Sequence, residues 1–410
     1  MSVSRRGFLG GAVGLGAGVT LGSARPKGAL VAAGAAADDG KRVPFEGEHQ
    51  AGITTPAPSS ALIAAFDVVA TDRQELAGAM RDLTEAARWL TSGGPAPKRD
   101  PLLPPADNLI LGPDPRSSDV TVTVGVGASL FDARYGLADR KPTQLRPMEH
   151  FPHDEIDPTR THGDLLLQLC ADQPDACVHA LRILMRATRS TLVLRWMLPG
   201  FIRSNVLNNG RTSTRNLLGF KDGTANPSPA DDALMDKLVW VPSGSPTEPA
   251  WTAGGTYMVV RTILTRVEFW DRTALATQEN IIGRKKASGA PLDGTRENDV
   301  PDFKADATGQ VTPIDAHIRM ANPRTRHAGA TRILRRGFNF SNGFSKNGQL
   351  EQGLLFVCFQ RDLDEGFVAI QNRLNDEPLE EYIQPVGGGF FYALPGVRDS
   401  TNWLGSGLLR

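Results

Sequence analysis

Residues 165–196 read LLLQLCADQPDACVHALRILMRATRSTLVLRW. Leu165 to Ala171 is a short apolar run of strand length, too short for a helix and nearly uninterrupted, as in a strand buried on both faces. Asp172-Gln173-Pro174 then opens a helix, with proline near the first helical position, where its missing N–H leaves no bond unmade. The helix is predicted to about Arg189, and Thr191 to Trp196 reads as a strand. Upstream, Asp119-Val-Thr-Val-Thr-Val-Gly alternates with period two, and Ala61 to Ala70 is another apolar strand. Between them Asp72 caps a helix on which Leu76, Met80, Leu83, Ala87 and Leu90 recur at helical spacing until Gly93-Gly94 stops it. A Pro-rich loop, Pro95 to Arg116, follows. The order over residues 61–204 is β-α-β-β-α-β.

The second half repeats that order in pattern and not in letters. Tyr257 to Leu264 reads as a strand and Trp270 to Ile282 as a helix. After a polar insertion from Arg284 to Thr331 come strands at Ile333 to Phe340 and Leu354 to Phe359. A helix, Glu365 to Leu374, and a strand, Gly388 to Leu394, complete the set. The fold class is therefore α+β, with two ferredoxin-like βαββαβ halves. The expected divisions are a polar lead over 38–60, a first domain over 61–204, a junction over 205–255 and a second domain over 256–410. The loops Asn205 to Pro229 and Arg284 to Thr331 are too long for plain connectors, so chemistry is expected there.

Composition removes several functions. Lys+Arg and Asp+Glu are 45 each in 410 residues, so no global basic field favours a nucleic-acid partner. Three Cys cannot build a disulfide framework and show no metal-finger spacing. Cys170 and Cys177 flank Pro174 without indicating a bridge, and Cys358 reads as a core residue. The charge balance hides one asymmetry: residues 1–37 contain Arg5, Arg6, Arg25 and Lys27 and no acid. Ser4-Arg5-Arg6-Gly7-Phe8-Leu9 followed by an uncharged, glycine-diluted stretch to Ala24 has the pattern of a twin-arginine signal peptide. Ala35-Ala36-Ala37 offers its cleavage site. The expected location is outside the cytoplasm, periplasmic or extracellular, reached in folded form with any cofactor already in place.

Three segments concentrate candidate chemistry: Gly219-Phe-Lys-Asp222-Gly223-Thr224-Ala225-Asn226-Pro227, Asp315-Ala-His317-Ile-Arg-Met-Ala-Asn322-Pro323-Arg324, and Ile333-Leu-Arg335-Arg-Gly337. Singly each has a plain explanation, since Asp-Gly is a common turn and a lone His or Arg is usually a satisfied surface or core group. Together with Phe45 to Ile53, Gly125 to Asp132 and His162 to Gln168, they resemble the dye-decolourising peroxidase family, in particular its exported deferrochelatase/peroxidase branch.

The resemblance implies a barrel-type pairing of the two α+β halves, with one haem b per chain in the C-terminal half. It makes His317 the axial ligand of the haem iron and Asp222 and Arg335 the residues that activate hydrogen peroxide. Gly223, Thr224, Ala225, Asn322, Pro323 and Arg324 match haem-touching segments, and Leu354 and Phe356 fall where one strand would wall the pocket. The acid behind His317 is expected to be Glu381, with Glu380 beside it. The implied reaction is peroxide reduction coupled, through a ferryl intermediate, to oxidation of dyes or other bulky aromatic donors. Competing readings are a deferrochelatase or haem-delivery protein working with iron-uptake partners, and an exported binding protein without haem. The cluster His150, His153, Asp154, Glu155 and Asp157 is read as a solvated loop. The export reading is tested by replacing Arg5 and Arg6 together with Lys: the protein should stay inside the cell on fractionation, and unchanged export would point to another route.

Overall fold

The computed structural model describes residues 42–92, 100–105, 107–112, 119–204 and 213–410. The export segment, the Gly93-Gly94 helix stop and the start of the junction loop lie outside the described residues. The first half contains β1 (Ser60–Val68), α1 (Arg73–Ser92), β2 (Thr121–Gly127), β3 (Leu165–Ala171), α2 (Pro174–Ala187) and β4 (Leu192–Phe201). At the start of α1, Asp72 Oδ1 accepts from Glu75 N at 2.8 Å while Glu75 Oε2 accepts from Thr71 N at 2.7 Å. Two donors at the helix start are thereby satisfied locally.

Then come a two-residue ribbon, β5 (Thr214–Arg215) with β6 (Lys221–Asp222), and α3 (Asp232–Leu238). The second half holds β7 (Thr256–Thr265), α4 (Val267–Trp270), α5 (Leu275–Ile282), α6 (His317–Ala321), α7 (Arg326–Ala330), β8 (Leu334–Arg335), β9 (Phe338–Phe344), β10 (Leu350–Gln360), α8 (Ala369–Leu374) and β11 (Ile383–Ala393), with α9 (Ser406–Leu409) after it. Among the described residues no helix is long and apolar enough to cross a membrane.

In the first half the strands lie in the order β2-β3-β1-β4, and in the second β9-β10-β7-β11, the same ferredoxin-like arrangement twice. The last strand of each half pairs with the second strand of the other: β4 meets β9 at Phe201–Asn339, and β11 meets β2 over Phe391–Gly127 to Ala393–Gly125. All these pairings are antiparallel, and the strands close into a barrel. The β11–β2 seam is short, and buried Gln50 extends it. Its Nε2 donates to Val124 O and Leu394 O, both at 2.8 Å, and its Oε1 accepts from Val124 N at 2.9 Å.

Alternation along the strands sorts side chains between two cores. Ala61, Ile63, Ala65, Leu166, Met258, Val260, Leu355, Val357 and Phe359 fill the barrel. On the outside Leu62, Ala64 and Phe66 pack with Leu76, Leu83, Leu181 and Leu184 of α1 and α2. At about 1.5–3 kcal/mol for each fully buried large apolar side chain, both faces contribute, so these strands read as near-continuous apolar runs.

Several elements differ from the sequence reading. The predicted helix from Trp270 to Ile282 is broken into α4 and α5, because buried Gln278 donates to Trp270 O at 2.8 Å and Thr273 O at 3.0 Å and holds the chain open. The strand predicted from Ile333 to Phe340 is interrupted at Arg336-Gly337. β4 runs through Pro199 to Phe201, which is tolerated because its second flank is paired only at Phe201. The helix predicted from Glu365 begins with a wide π turn, Asp364–Val368, before α8.

The β4–β9 seam demands a close approach. A Cβ on Gly200 would lie 2.7 Å from Phe338 Cβ and 3.1 Å from Leu355 Cδ2. Gly200→Val should therefore lower stability by about 1–3 kcal/mol, the usual cost of overpacking. Gly78, mid-helix in α1 with nothing near its missing Cβ, should gain up to about 1 kcal/mol as Gly78→Ala. Thermal or denaturant unfolding of both variants measures the contrast.

Candidate active site

The outer face of the second half is covered differently from the first. Short helices and loops replace the two long helices there, and they leave a cavity in which the centres of water-sized molecules occupy about 290 Å³. Its floor is the outward set of the sheet: Ile263 and Thr265 of β7, Leu354 and Phe356 of β10, and Ile383 and Pro385 of β11. The period that sends Leu355 and Val357 into the barrel sends Leu354 and Phe356 to the cavity.

His317 is the first residue of α6 and lines the cavity. Its Nδ1 is 2.7 Å from Glu377 Oε2. A carboxylate only accepts, so Nδ1 carries the proton and donates, and the Nε2 lone pair is left for the cavity. Burial disfavours the imidazolium, yet the charge and hydrogen bond of Glu377 outweigh it and the pKa stands above the ordinary histidine value. Arg335 opposes that rise and Asp222 supports it, so all four groups share one electrostatic field.

The acid behind His317 is therefore Glu377 and not Glu381. Glu377 is 4 % exposed, whereas Glu381 is exposed at the end of the 3₁₀ turn Pro378–Glu381. That turn, entered through Asp376 at φ 65°, points the buried acid inward one turn earlier than the sequence reading expected. Glu380 is engaged elsewhere, 3.0 Å from His153 Nε2, and burial pushes its carboxyl above the usual range. His153, Asp376 and Glu380 bring their ligand-type atoms within 4.8 Å of one another at the cavity rim. Of the polar loop read as solvated, Asp154 is instead buried, paired with Arg261 of β7.

Asp222 ends β6 and Arg335 ends β8, and Arg335 Nη1 donates to Asp222 Oδ1 at 2.7 Å. The break after Arg335 matters here. Asn226, four residues beyond Asp222, accepts from Arg335 N at 2.8 Å and donates to Arg335 O at 2.9 Å, taking the place of a strand partner. Gly223, at φ 102°, makes the turn that a side chain would disfavour. Gly223, Thr224, Ala225, Asn322 and Arg324 all line the cavity, while Pro323 is not on its wall.

Arg324 sits in left-handed backbone at φ 60°, its N–H donating to Asn322 Oδ1 at 3.2 Å. The Nε atoms of Arg324 and of Arg332 are buried without a hydrogen-bond partner among the described residues. Burial, and then the neighbouring Arg332, pulls the Arg324 pKa down. Two cations thus face a cavity with donors to spare, which is a place for an anion. Asn226, Glu377 and Arg332 were not singled out from sequence. Asn226 lay in a quoted motif, but its bond to a distant strand has no local signature.

The comparisons with known proteins agree with this geometry. The N-terminal Dyp-type peroxidase family model matches residues 50–202 and the C-terminal model residues 213–398. The chain belongs to the Dyp-type peroxidase family. It is 50 % identical over 372 residues to the deferrochelatase of Escherichia coli strain K12, covering 90 % of this chain and 88 % of the relative. Among solved structures it resembles the DyP-type peroxidase of Cellulomonas bogoriensis, with TM-score 0.79, 36 % identity and 90 % and 98 % of the two chains covered. It also resembles DtpA of Streptomyces lividans in its oxyferrous complex, with TM-score 0.81, 36 % identity and the same coverage.

The cofactor of the family is haem, and the residues present fit it. His317, its ring held by Glu377, would have Nε2 available to hold the iron, the floor is apolar, and the orphaned donors of Arg324 and Arg332 would suit propionate carboxylates. Glu377→Gln should weaken haem retention by about 10- to 100-fold, the usual effect of losing a partner behind a metal ligand, and raise the ferric/ferrous potential. Glu381→Gln should change neither. Titration of apoprotein with haem, followed at the Soret band, and spectroelectrochemistry distinguish the two acids.

Proposed function

We propose that Asp222 and Arg335 activate hydrogen peroxide in this haem peroxidase and that His317 holds the iron. One observation carries the assignment. A carboxylate and a guanidinium, bonded at 2.7 Å, face the same apolar cavity as a histidine anchored through Nδ1. When bound, haem takes up the two oxidising equivalents of the peroxide and passes them on to donors one electron at a time.

The protein side of the reaction follows from proton bookkeeping. The Asp222 carboxylate accepts the proton of the nearer peroxide oxygen and returns it to the farther one, which leaves as water. Negative charge builds on that leaving oxygen as the O–O bond lengthens, and the Arg335 donors stabilise it. Asn226 keeps Arg335 in register by holding its backbone on both sides. Glu377 keeps the Nδ1 proton of His317 and so fixes Nε2 as the electron-pair donor.

The finer assignments belong to the same proposal. The cofactor is haem b, one per chain: a single His317 faces the cavity, and the Nε donors of Arg324 and Arg332 are there for its carboxylates. The reducing substrate is a dye or another bulky aromatic molecule. The chain is exported by the twin-arginine machinery to the periplasm or beyond, on the strength of Arg5-Arg6 and the uncharged stretch that follows. A second reading, release of iron from haem alongside iron-uptake proteins, is favoured by the relatives named deferrochelatase at 50 % identity.

Asp222→Asn and Arg335→Leu should both keep the Soret band and slow its loss on mixing with peroxide. The expected factors are about 10² to 10⁴ for the acid–base group and about 10² to 10³ for the electrostatic one. His317→Ala should lose most of the haem. Stopped flow at the Soret maximum reads the rates; parent rates in both distal variants would refute peroxide activation here and move the iron-release reading ahead.

A further inference from the structure

The ribbon that carries Asp222 is not part of the barrel. Among the described residues β5 and β6 pair only with each other, over Thr214–Asp222 and Arg215–Lys221, and two residues per strand have no stability of their own. Side chains therefore bolt it to the insertion from Arg284 onward. Arg215 donates to Lys286 O at 2.7 Å and Ala287 O at 2.8 Å, and Lys286 lies over the Phe220 ring at 5.5 Å. The remaining contact differs, because it involves charge next to the proposed proton carrier.

Lys221 and Asp222 are neighbours on β6, and both line the cavity. Asp222 goes to Arg335, whereas the Lys221 ammonium is bonded to Glu297. Glu297 also accepts from Thr224 Oγ1 at 3.2 Å, so it grips the ribbon on both sides of Asp222. The pair is largely buried, with side chains 10 % and 20 % exposed. Its backbone is fixed too, since Arg284 donates to Glu297 O at 2.9 Å. Burial opposes the Glu297 charge, but Lys221 and the other donors around it hold its carboxyl below the usual range.

An ammonium on a four-carbon stem can reach a carboxylate one residue away, and Asp222 already has one cation as partner. A second would compete with Arg335 and take the lone pair that must receive a proton. From this arrangement we infer that Glu297 is a positioning residue whose task is to sequester Lys221 from Asp222. The inference rests on the reading of Asp222 as proton carrier, and nothing in the sequence motifs assigns Glu297 a part in the site.

Glu297→Gln tests it, since the amide keeps the size and can still accept from Thr224 while the charge is lost. In the haem-loaded variant the reaction with peroxide should slow about tenfold or more. Fluoride binding to the ferric protein should tighten several-fold, because the site has lost one negative charge and the Lys221 charge now lies beside Asp222. A merely loosened structure would not move the two readouts in opposite directions. Adding Lys221→Met should bring both back to within about threefold of the parent, as expected when interacting groups are removed together. Hydrogen–deuterium exchange of residues 219–226 in the apoprotein should stay at the parent level in both variants.

Parent rate and parent fluoride affinity in Glu297→Gln would overturn the inference, as would a double variant as slow as the single one. If exchange rises in the single variant, the double variant decides: recovered rate supports sequestration, and a slow double variant refutes it. Asp222→Asn separates the two layers. A slow Asp222→Asn beside a parent-like Glu297→Gln overturns this inference alone. Parent rate in Asp222→Asn overturns the Asp222 reading and the inference with it.

Discussion

Each strand of the second half has to satisfy two buried surfaces at once. β10 sends Leu355, Val357 and Phe359 into the barrel and Leu354 and Phe356 to the cavity, so a shift of one residue would exchange the two sets. The seams that close the barrel fix that register from outside the half. β9 is held against β4 where Gly200 allows Phe338 to approach, and β11 is held against β2 by three residue pairs and the clamp of Gln50. The cavity is therefore shaped by seams that do not touch it, as well as by Pro152 and His153 of the first half, which line it.

Much of the fold was legible because apolar runs and helix starts are local signals. Leu165 to Ala171 and the Pro174 helix start coincide with β3 and α2, and Asp72 caps α1 as its position implies. The departures occur where a distant side chain intervenes. Buried Gln278 splits a continuous helical pattern, and the interruption after Arg335 serves a bond from Asn226, 109 residues away. The site shows the same division. His317, Asp222 and Arg335 were visible in motifs, but the acid behind His317 was placed one turn too late. Three acids, Glu377, Glu380 and Glu381, lie within five residues, and only the chain's turn at Asp376 decides which one is buried.

The cavity collects more positive charge than its walls neutralise. Asp222 answers Arg335, Glu297 answers Lys221 and Asp154 answers Arg261. Arg324 and Arg332 retain unpartnered nitrogens, and burial lowers the Arg284 pKa, with Arg324 adding to the effect. Such a surplus destabilises the protein without its cofactor, since buried donors without acceptors cost about 1–3 kcal/mol each. The carboxylates of a bound porphyrin would relieve that cost, which would tie cofactor affinity to the same residues that make the empty fold less favourable.

The seam between β11 and β2 also has a consequence for assembly. β11 occupies Ile383–Ala393 near the end of the chain, and it supplies both the last barrel strand and two residues of the cavity floor. Until β11 docks against β2, the ring is open and the floor unfinished. Closing the barrel and completing the pocket are therefore a single event, so whatever loosens the β11–β2 seam also loosens the grip of the cavity on what it binds.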